Sequence, residues 1–279
     1  SSSLHRAMSD FSVLHVSVTD AVGTVTLDRP AARNAMNAAF FDELPAAMNQ
    51  LANDDRVRVV VIRGAGPAFT AGLDLKEMAP EVMRGGDGSP VEQRRELYAL
   101  IQHMQAAFEA IAGCLKPVIA TIHGPCIGGG VDLITACDIR LATADATFSV
   151  RETKLAMVAD LGTLQRIQQI VPQGHVAELV YTGKDIDADR AAVIGLVNRV
   201  VDDADALQTA AGEMAATIAA NSPLAVQGAK HVLRKSRTQS VHDGLDYVAL
   251  WNAAFLQSDD LHEAMQAFQE RRRPTFHGT

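Results

Sequence analysis

The chain has 279 residues, 48% hydrophobic and 21% charged, and its 25 basic and 33 acidic residues give a formal net charge of −8. This is the composition of a soluble globular protein long enough to bury a sizeable core, as one large domain or as one domain with a helical appendage. The acidic balance argues against a general nucleic-acid or membrane-surface binder, which needs a basic face, but leaves room for an anionic ligand held by a few local Lys and Arg. The three cysteines, Cys114, Cys126 and Cys137, show no CxxC spacing and read as reduced, buried thiols. No apolar run reaches the ~18 residues of a membrane span. Residues 1–7 lack the apolar core of a secretory signal; Met8 looks like a native start, so these seven residues are expected to be additions to it. The closing His277-Gly278-Thr279 is not a peroxisomal address. These absences point to a cytoplasmic protein, and the Ala-rich composition to a bacterial source.

In chain order, residues 13–18 and 22–27 read as two strands joined by a turn around Asp20 and Gly23 and ended by Asp28-Arg29-Pro30. Residues 33–53 carry helical spacing, with Met36, Phe40, Leu44, Met48 and Leu51 on one face. Residues 57–63 form a continuous apolar strand, 68–75 an irregular segment and 80–90 a Gly-rich loop. A helix fills 91–113, Lys116-Pro117 breaks it, and 118–123 is a buried strand. Residues 130–137 read as a short buried helix and 139–142 as a further strand, an α/β pattern. From about 203 onward only helical patterns remain, over 204–220, 223–236, 240–256 and 258–271.

The triplet Gly128-Gly129-Gly130 lies between a strand and a helix. Without Cβ atoms the backbone can approach a ligand closely, and the helix behind it offers unpaired N–H groups and a partial positive charge. The triplet is neither a P-loop nor a GxGxxG fingerprint, and alone it also fits a tight turn with close helix packing. A second glycine turn, Phe69-Thr70-Ala71-Gly72-Leu73-Asp74-Leu75, could bring another N–H to the same oxygen or be a plain loop.

Together, Ala65-Gly66, Phe69-Thr70-Ala71-Gly72-Leu73-Asp74-Leu75, His123-Gly124, Gly128-Gly129-Gly130-Val131-Asp132-Leu133 and Cys137-Asp138-Ile139 resemble the enoyl-CoA hydratase/isomerase (crotonase) superfamily, from about residue 13 to the C-terminus. The resemblance implies an α/β fold: a spiral of ββα units over 8–203 with the active site, then a helical C-terminal trimerisation region over 204–279. It implies an acyl-CoA thioester whose oxygen sits between the backbone N–H groups of Leu73 and Gly129. It also implies substrate and CoA contacts from Arg29, Arg33, Ala71, Gly72, Asp74, Leu75, Lys76 and Gly130. A homotrimer or dimer of trimers, a role in fatty-acid β-oxidation, and neither nucleic-acid nor membrane partners follow from it. No metal-ligand spacing appears, and no cofactor is expected, CoA being part of the substrate.

The acids select the reaction. Hydratases of the superfamily typically carry Glu where this chain has Asp132, share the acid at Glu152, and have glycine where this chain has Asp160. The set Asp132, Glu152 and Asp160 resembles the Δ3,5-Δ2,4-dienoyl-CoA isomerase branch, which implies conversion of 3,5-dienoyl-CoA to 2,4-dienoyl-CoA. That shift takes a proton from C2 and returns one at C6, too far apart for one carboxylate to serve easily, so two acids help; a third can tune their pKa values. Glu152 and Asp160 are expected to exchange the protons while Asp132 tunes or orients; which acid faces C2 stays open. The alternatives are enoyl-CoA hydration by Asp132 and Glu152, and a non-catalytic or RNA-binding homologue. Taken as single residues, Asp160 could cap a helix over 164–170, Asp132 could answer its own helix dipole, and Glu152 could be solvated. Asp138 and His123 read as structural, and the basic run 230–237 as a solvated face or a phosphate contact.

Overall fold

The computed structural model describes residues 10–83 and 88–279; residues 1–9, with Met8, and 84–87 within the expected 80–90 loop lie outside the described residues. β1 (Leu14–Thr19) and β2 (Val22–Leu27) form the expected antiparallel hairpin. Its turn is Asp20-Ala21, at φ 47° and 65°. Gly23 lies inside β2, where a Cβ would come within 2.8 Å of Leu51. The first helix, α1 (Ala38–Ala52), starts at Ala38 rather than at 33. A 3₁₀ turn at Pro30–Ala32 and left-handed Arg33 and Asn34 break the helical path first, and Asn37 then caps α1 by accepting from Phe40 N–H.

β3 (Val59–Gly64) is followed by α2 (Leu75–Met83), which runs into the segment expected to be loop. α3 (Pro90–Gly113) starts from a reciprocal Ser89–Glu92 capping box. β4 (Val118–Ile122), β5 (Pro125–Ile127), α4 (Gly129–Ala136), β6 (Ile139–Thr143) and β7 (Thr147–Ser149) come next. Then follow α5 (Thr163–Arg166), α6 (Gln173–Thr182), β8 (Ile186–Asp187), α7 (Ala188–Val193) and β9 (Arg199–Val201). The strands end there, and α8 (Ala204–Ala219), α9 (Pro223–Ser236), α10 (Val241–Phe255) and α11 (Asp259–Glu270) complete the chain. β5, β7, β8 and β9 span two or three residues each, too short for a period-2 signal.

The larger sheet has the order β1-β2-β3-β4-β6-β9, parallel apart from the hairpin; the smaller has the order β5-β7-β8. From β4 to β5 and from β6 to β7 the chain steps directly from one sheet to the other, which generates the spiral. β3 is apolar from Val59 to Ile62 because both its faces are covered there. Val60 and Ile62 enter the main core with α1, α3 and α4, whereas Val59 and Val61 pack with Ile119 and Leu141 beneath Leu207, Ala210, Ala211 and Ala215 of α8. By packing, α8 thus belongs to the sheet. The apolar face foreseen on α1 is fully buried, and its Phe41 meets Phe108 of α3 edge-on at 6.2 Å. These contacts fix α3 and α4 against the sheet on either side of one cavity.

Candidate active site

The cavity occupies about 690 Å³ and is lined by residues of the 33–41 and 71–75 segments, α3, α4 and the 151–161 segment. That is the size of a small-molecule site. The 65–72 segment behind it is held by Asn34, whose buried side chain donates to the carbonyls of Ala65, Ala68 and Phe69 at 2.8, 2.9 and 3.2 Å. Thr70 Oγ1 donates to Asn34 O at 2.7 Å and accepts from Gly72 N–H at 3.1 Å. This staple forces Gly72 to φ 85° against β5, where a Cβ would lie 2.6 Å from Ile127 O. Only glycine allows both.

Leu73 forms a parallel bridge with Met36 in which Met36 N–H donates to Gly72 O and Asp74 N–H donates to Met36 O, both at 2.8 Å. The N–H of Leu73 itself therefore points away from Met36, toward α4. Gly129 opens α4, so its N–H has no acceptor within that helix. The two groups are close: a Cβ on Gly129 would lie 3.8 Å from Leu73 N. Gly130 is buried under Thr70, with room for no Cβ, and does not line the cavity. A pair of converging N–H groups at a helix N-terminus can hold an oxygen that gains negative charge.

All three predicted acids line this cavity. Asp132, on α4, is 1% exposed. Its Oδ1 accepts from Thr163 N–H at 2.6 Å, so it serves the start of α5 rather than its own helix. Burial, reinforced by the charge of Glu152, pushes Asp132 up to about 7 against the hydrogen bond from Thr163 and the charge of Arg166. Glu152 is half-buried, with Oε2 enclosed and without a protein partner. Burial and then the charge of Asp160 raise it above the usual carboxylate range. Asp160 is the most open of the three, and partial burial raises it too. It caps no helix, since Gly162 is the N-cap of α5. All three shifts run upward, so each acid holds its proton to a higher pH than a free carboxylic acid does.

Of the remaining candidate residues, Arg33, Ala71, Gly72 and Leu75 line the cavity, and Arg29, Asp74 and Lys76 do not. Arg29 ion-pairs with Asp74 at 3.0 Å and with Glu77 at 2.6 Å, and donates to Ala35 O at 2.6 Å. Burial opposes the charge of Asp74, but Arg29 and the N–H groups of Glu77 and Lys76 outweigh it and hold the carboxyl low. The pair thus braces the 29–35 loop against the start of α2. Lys76 is exposed. Asp138 accepts from Val118 N–H and from Lys230 Nζ at 2.8 and 2.6 Å, and His123 Nε2 lies 2.8 Å from Gly66 O; both are structural contacts. Sequence reasoning missed Asn34, whose sole signal is an Asn able to take the left-handed conformation after a proline turn. Residues 78–105 are expected from sequence to set acyl length but cannot be placed from it; Leu97, Ile101 and Met104 of that stretch line the cavity, together with Leu155, Met157 and Val158, which sequence reasoning did not single out.

The family model for enoyl-CoA hydratase/isomerase matches residues 17–279. The chain is 45% identical to a mitochondrial Delta(3,5)-Delta(2,4)-dienoyl-CoA isomerase of Dictyostelium discoideum over 96% of this chain and 92% of that protein. It is 44% identical to the peroxisomal protein of that name from Arabidopsis thaliana over 97% and 95%. Among solved structures, an enoyl-CoA hydratase from Bacillus anthracis superposes with a TM-score of 0.87 at 32% identity, over 96% of this chain and 100% of that one. An enoyl-CoA hydratase from Mycobacterium tuberculosis H37Rv gives 0.83 at 33%, over 96% and 99%. Motifs, fold and relatives agree: the chain belongs to the enoyl-CoA hydratase/isomerase family of enzymes.

Proposed function

We propose that the protein is an isomerase that converts 3,5-dienoyl-CoA to 2,4-dienoyl-CoA. The observation that carries this reading is that three carboxylates with raised pKa values line the same cavity as Leu73 and Gly129. The relatives of that name at 44–45% identity support it. In this reading the thioester oxygen accepts from Leu73 and Gly129 N–H. Glu152 lies beside the oxyanion pair, since a Cβ on Gly128 would sit 3.3 Å from its Oε1; it removes a proton from C2, next to the carbonyl. The electron pair passes into a dienolate extending to C6, and Asp160, on the wall toward α3, delivers a proton to C6. The 3,5-diene thereby becomes the 2,4-diene, and proton return from Glu152 to Asp160, directly or through water, resets the site. Asp132 orients the 160–163 segment through Thr163 and tunes the trio. No cofactor beyond the CoA of the substrate takes part.

Arg33, Ala71, Gly72 and Leu75 contact the CoA side of the substrate, with Lys76 at the surface beyond them and the Arg29–Asp74 brace behind. Leu233, Val241, Leu250 and Phe268 expose 69%, 82%, 70% and 83% of their surface on the C-terminal helices, which supports assembly as a homotrimer or dimer of trimers through that region. Purified protein should produce the ultraviolet absorbance of a conjugated dienoyl thioester from 3,5-dienoyl-CoA. Rapid loss of absorbance from a trans-2-enoyl-CoA, with no dienoyl product from the first substrate, would replace isomerisation by hydration through Asp132 and Glu152. The hydratase names of the solved structures make this the second reading.

A further inference from the structure

We propose that Gln105, Glu109 and Arg166 are positioning residues that aim the Asp160 carboxylate at the reacting chain. This rests on Asp160 being the acid at C6. Among the described residues, no other side chain hydrogen-bonds the Asp160 carboxylate. Its direction therefore follows from the main chain of residues 160–163, a turn built on Gly162 at φ 122°. Such a turn has no stiffness of its own.

The turn is held from outside. Gln105 Nε2 donates to Asp160 O at 2.7 Å. Arg166 Nη1 donates to Leu161 O at 3.3 Å, and its Nη2 bonds Glu109 Oε1. The Arg166 guanidinium folds back over Gly162, where a Cβ would lie 1.8 Å from Nη1, and the φ of 122° is itself one that favours glycine. Gln105 and Glu109 stand one turn apart on α3 and so share a face. α3 is itself a firm support, because Met104, Ala107, Phe108 and Ile111 are buried along its other side. Two consecutive carbonyls, those of Asp160 and Leu161, are thus gripped by or through α3, while Asp132 grips Thr163 N–H from α4. Glu109 and Arg166 face the second large cavity, between α3 and α9, and only Arg166 approaches Asp132 electrostatically. None of the three lines the substrate cavity, so Gln105 and Glu109 reach it through the 160–161 main chain and Arg166.

The proposal is tested with Gln105→Leu, Glu109→Ala and their double variant, made at partly or fully exposed side chains, and with Glu109→Gln, which keeps an acceptor for Arg166. Two rates are followed: isomerisation of 3,5-dienoyl-CoA, and deuterium uptake at its C2 in heavy water, which needs only the base. A misplaced acid should lower kcat for isomerisation by about 10- to 100-fold, leave KM within about twofold, and leave C2 exchange intact, with Glu109→Gln restoring most of the rate. Unchanged kcat in the double variant, or isomerisation and exchange falling together, overturns it. An Asp160→Asn variant measured alongside separates the two readings. Full isomerisation there removes Asp160 from the reaction, and the anchors with it. A crippled Asp160→Asn beside unimpaired anchor variants overturns the positioning alone.

Discussion

The two halves of the site are built from different material. In one half the candidate groups are main-chain N–H groups of Leu73 and Gly129, fixed by Asn34, Thr70 and Gly72 in a fully buried frame. In the other they are the side chains of Asp132, Glu152 and Asp160, carried by α4 itself, a 3₁₀ turn and a loop, with exposure rising in that order. The backbone half is common to any reaction that needs a thioester enolate. Under the proposed function, the carboxylate half decides which carbon loses a proton and which gains one. Chemistry could then change in that half while the other stays fixed.

The largest effect should come from breaking the carboxylate half alone. Glu152→Gln should lower kcat by about 10²–10⁴-fold, the range of a lost general base, with C2 exchange lost in parallel and KM little changed. Steady-state rates and deuterium uptake at C2 check this, and retained exchange would move the base elsewhere in the trio. Breaking the backbone half comes next. Gly72→Ala puts a Cβ 2.6 Å from Ile127 O at a positive φ; spoiling the alignment of the N–H pair should cost about 10²–10³ in kcat. Unlike Glu152→Gln, it should also lower the melting temperature. A variant of full stability and full activity would show that the pair does not hold the oxygen.

A third test uses pH. Asp132 is raised to about 7 in the folded protein from an ordinary value of 3.8. Between these values the folded state binds more protons than the unfolded one, so the stability contribution falls as pH rises through that window and stays low above it. Asp132→Asn keeps an acceptor for Thr163 without the buried charge. It should match wild type near pH 4 and exceed it at pH 8 by an amount on the order of 1–4 kcal/mol, while losing activity. Melting curves across pH 4–8 give the comparison, and a gap that does not widen with pH would place the charge in a better solvated setting than the buried carboxylate suggests. The smallest effect is reserved for the rim. Lys76→Ala, at an exposed side chain outside the cavity, should raise KM no more than about fivefold and leave kcat unchanged. A larger rise would assign Lys76 a direct phosphate contact.

Legibility follows the same division. Gly72 is readable because close approach of the Ile127 carbonyl forbids a side chain, and Gly129 because a Cβ would crowd Met36 at the start of α4; each constraint leaves a glycine as a local mark in the chain. The core faces of α1 and β3 are readable for a similar reason, the periods of helix and strand. The brace between Arg29 and Asp74, the reach of Asp132 to Thr163 and the grip of α3 on the 160–163 turn leave no such mark, because each joins residues far apart in the chain. The same holds for α2, which extends into a Pro- and Gly-rich stretch that local propensity assigns to loop, and for α8, which reads as a peripheral helix yet closes one face of the sheet.

The sequence by itself thus determined the α/β spiral, the glycine pair that lets two N–H groups converge, and the three acids as a set. Only the tertiary structure decided that these acids line one cavity, that Asp132 is the buried one tied to the start of α5, and that Asp160 stands open on a turn anchored to α3. The physical reason is that backbone constraints act within a few residues, whereas burial, the electrostatic coupling of charges and the aiming of a side chain depend on what the fold brings beside it.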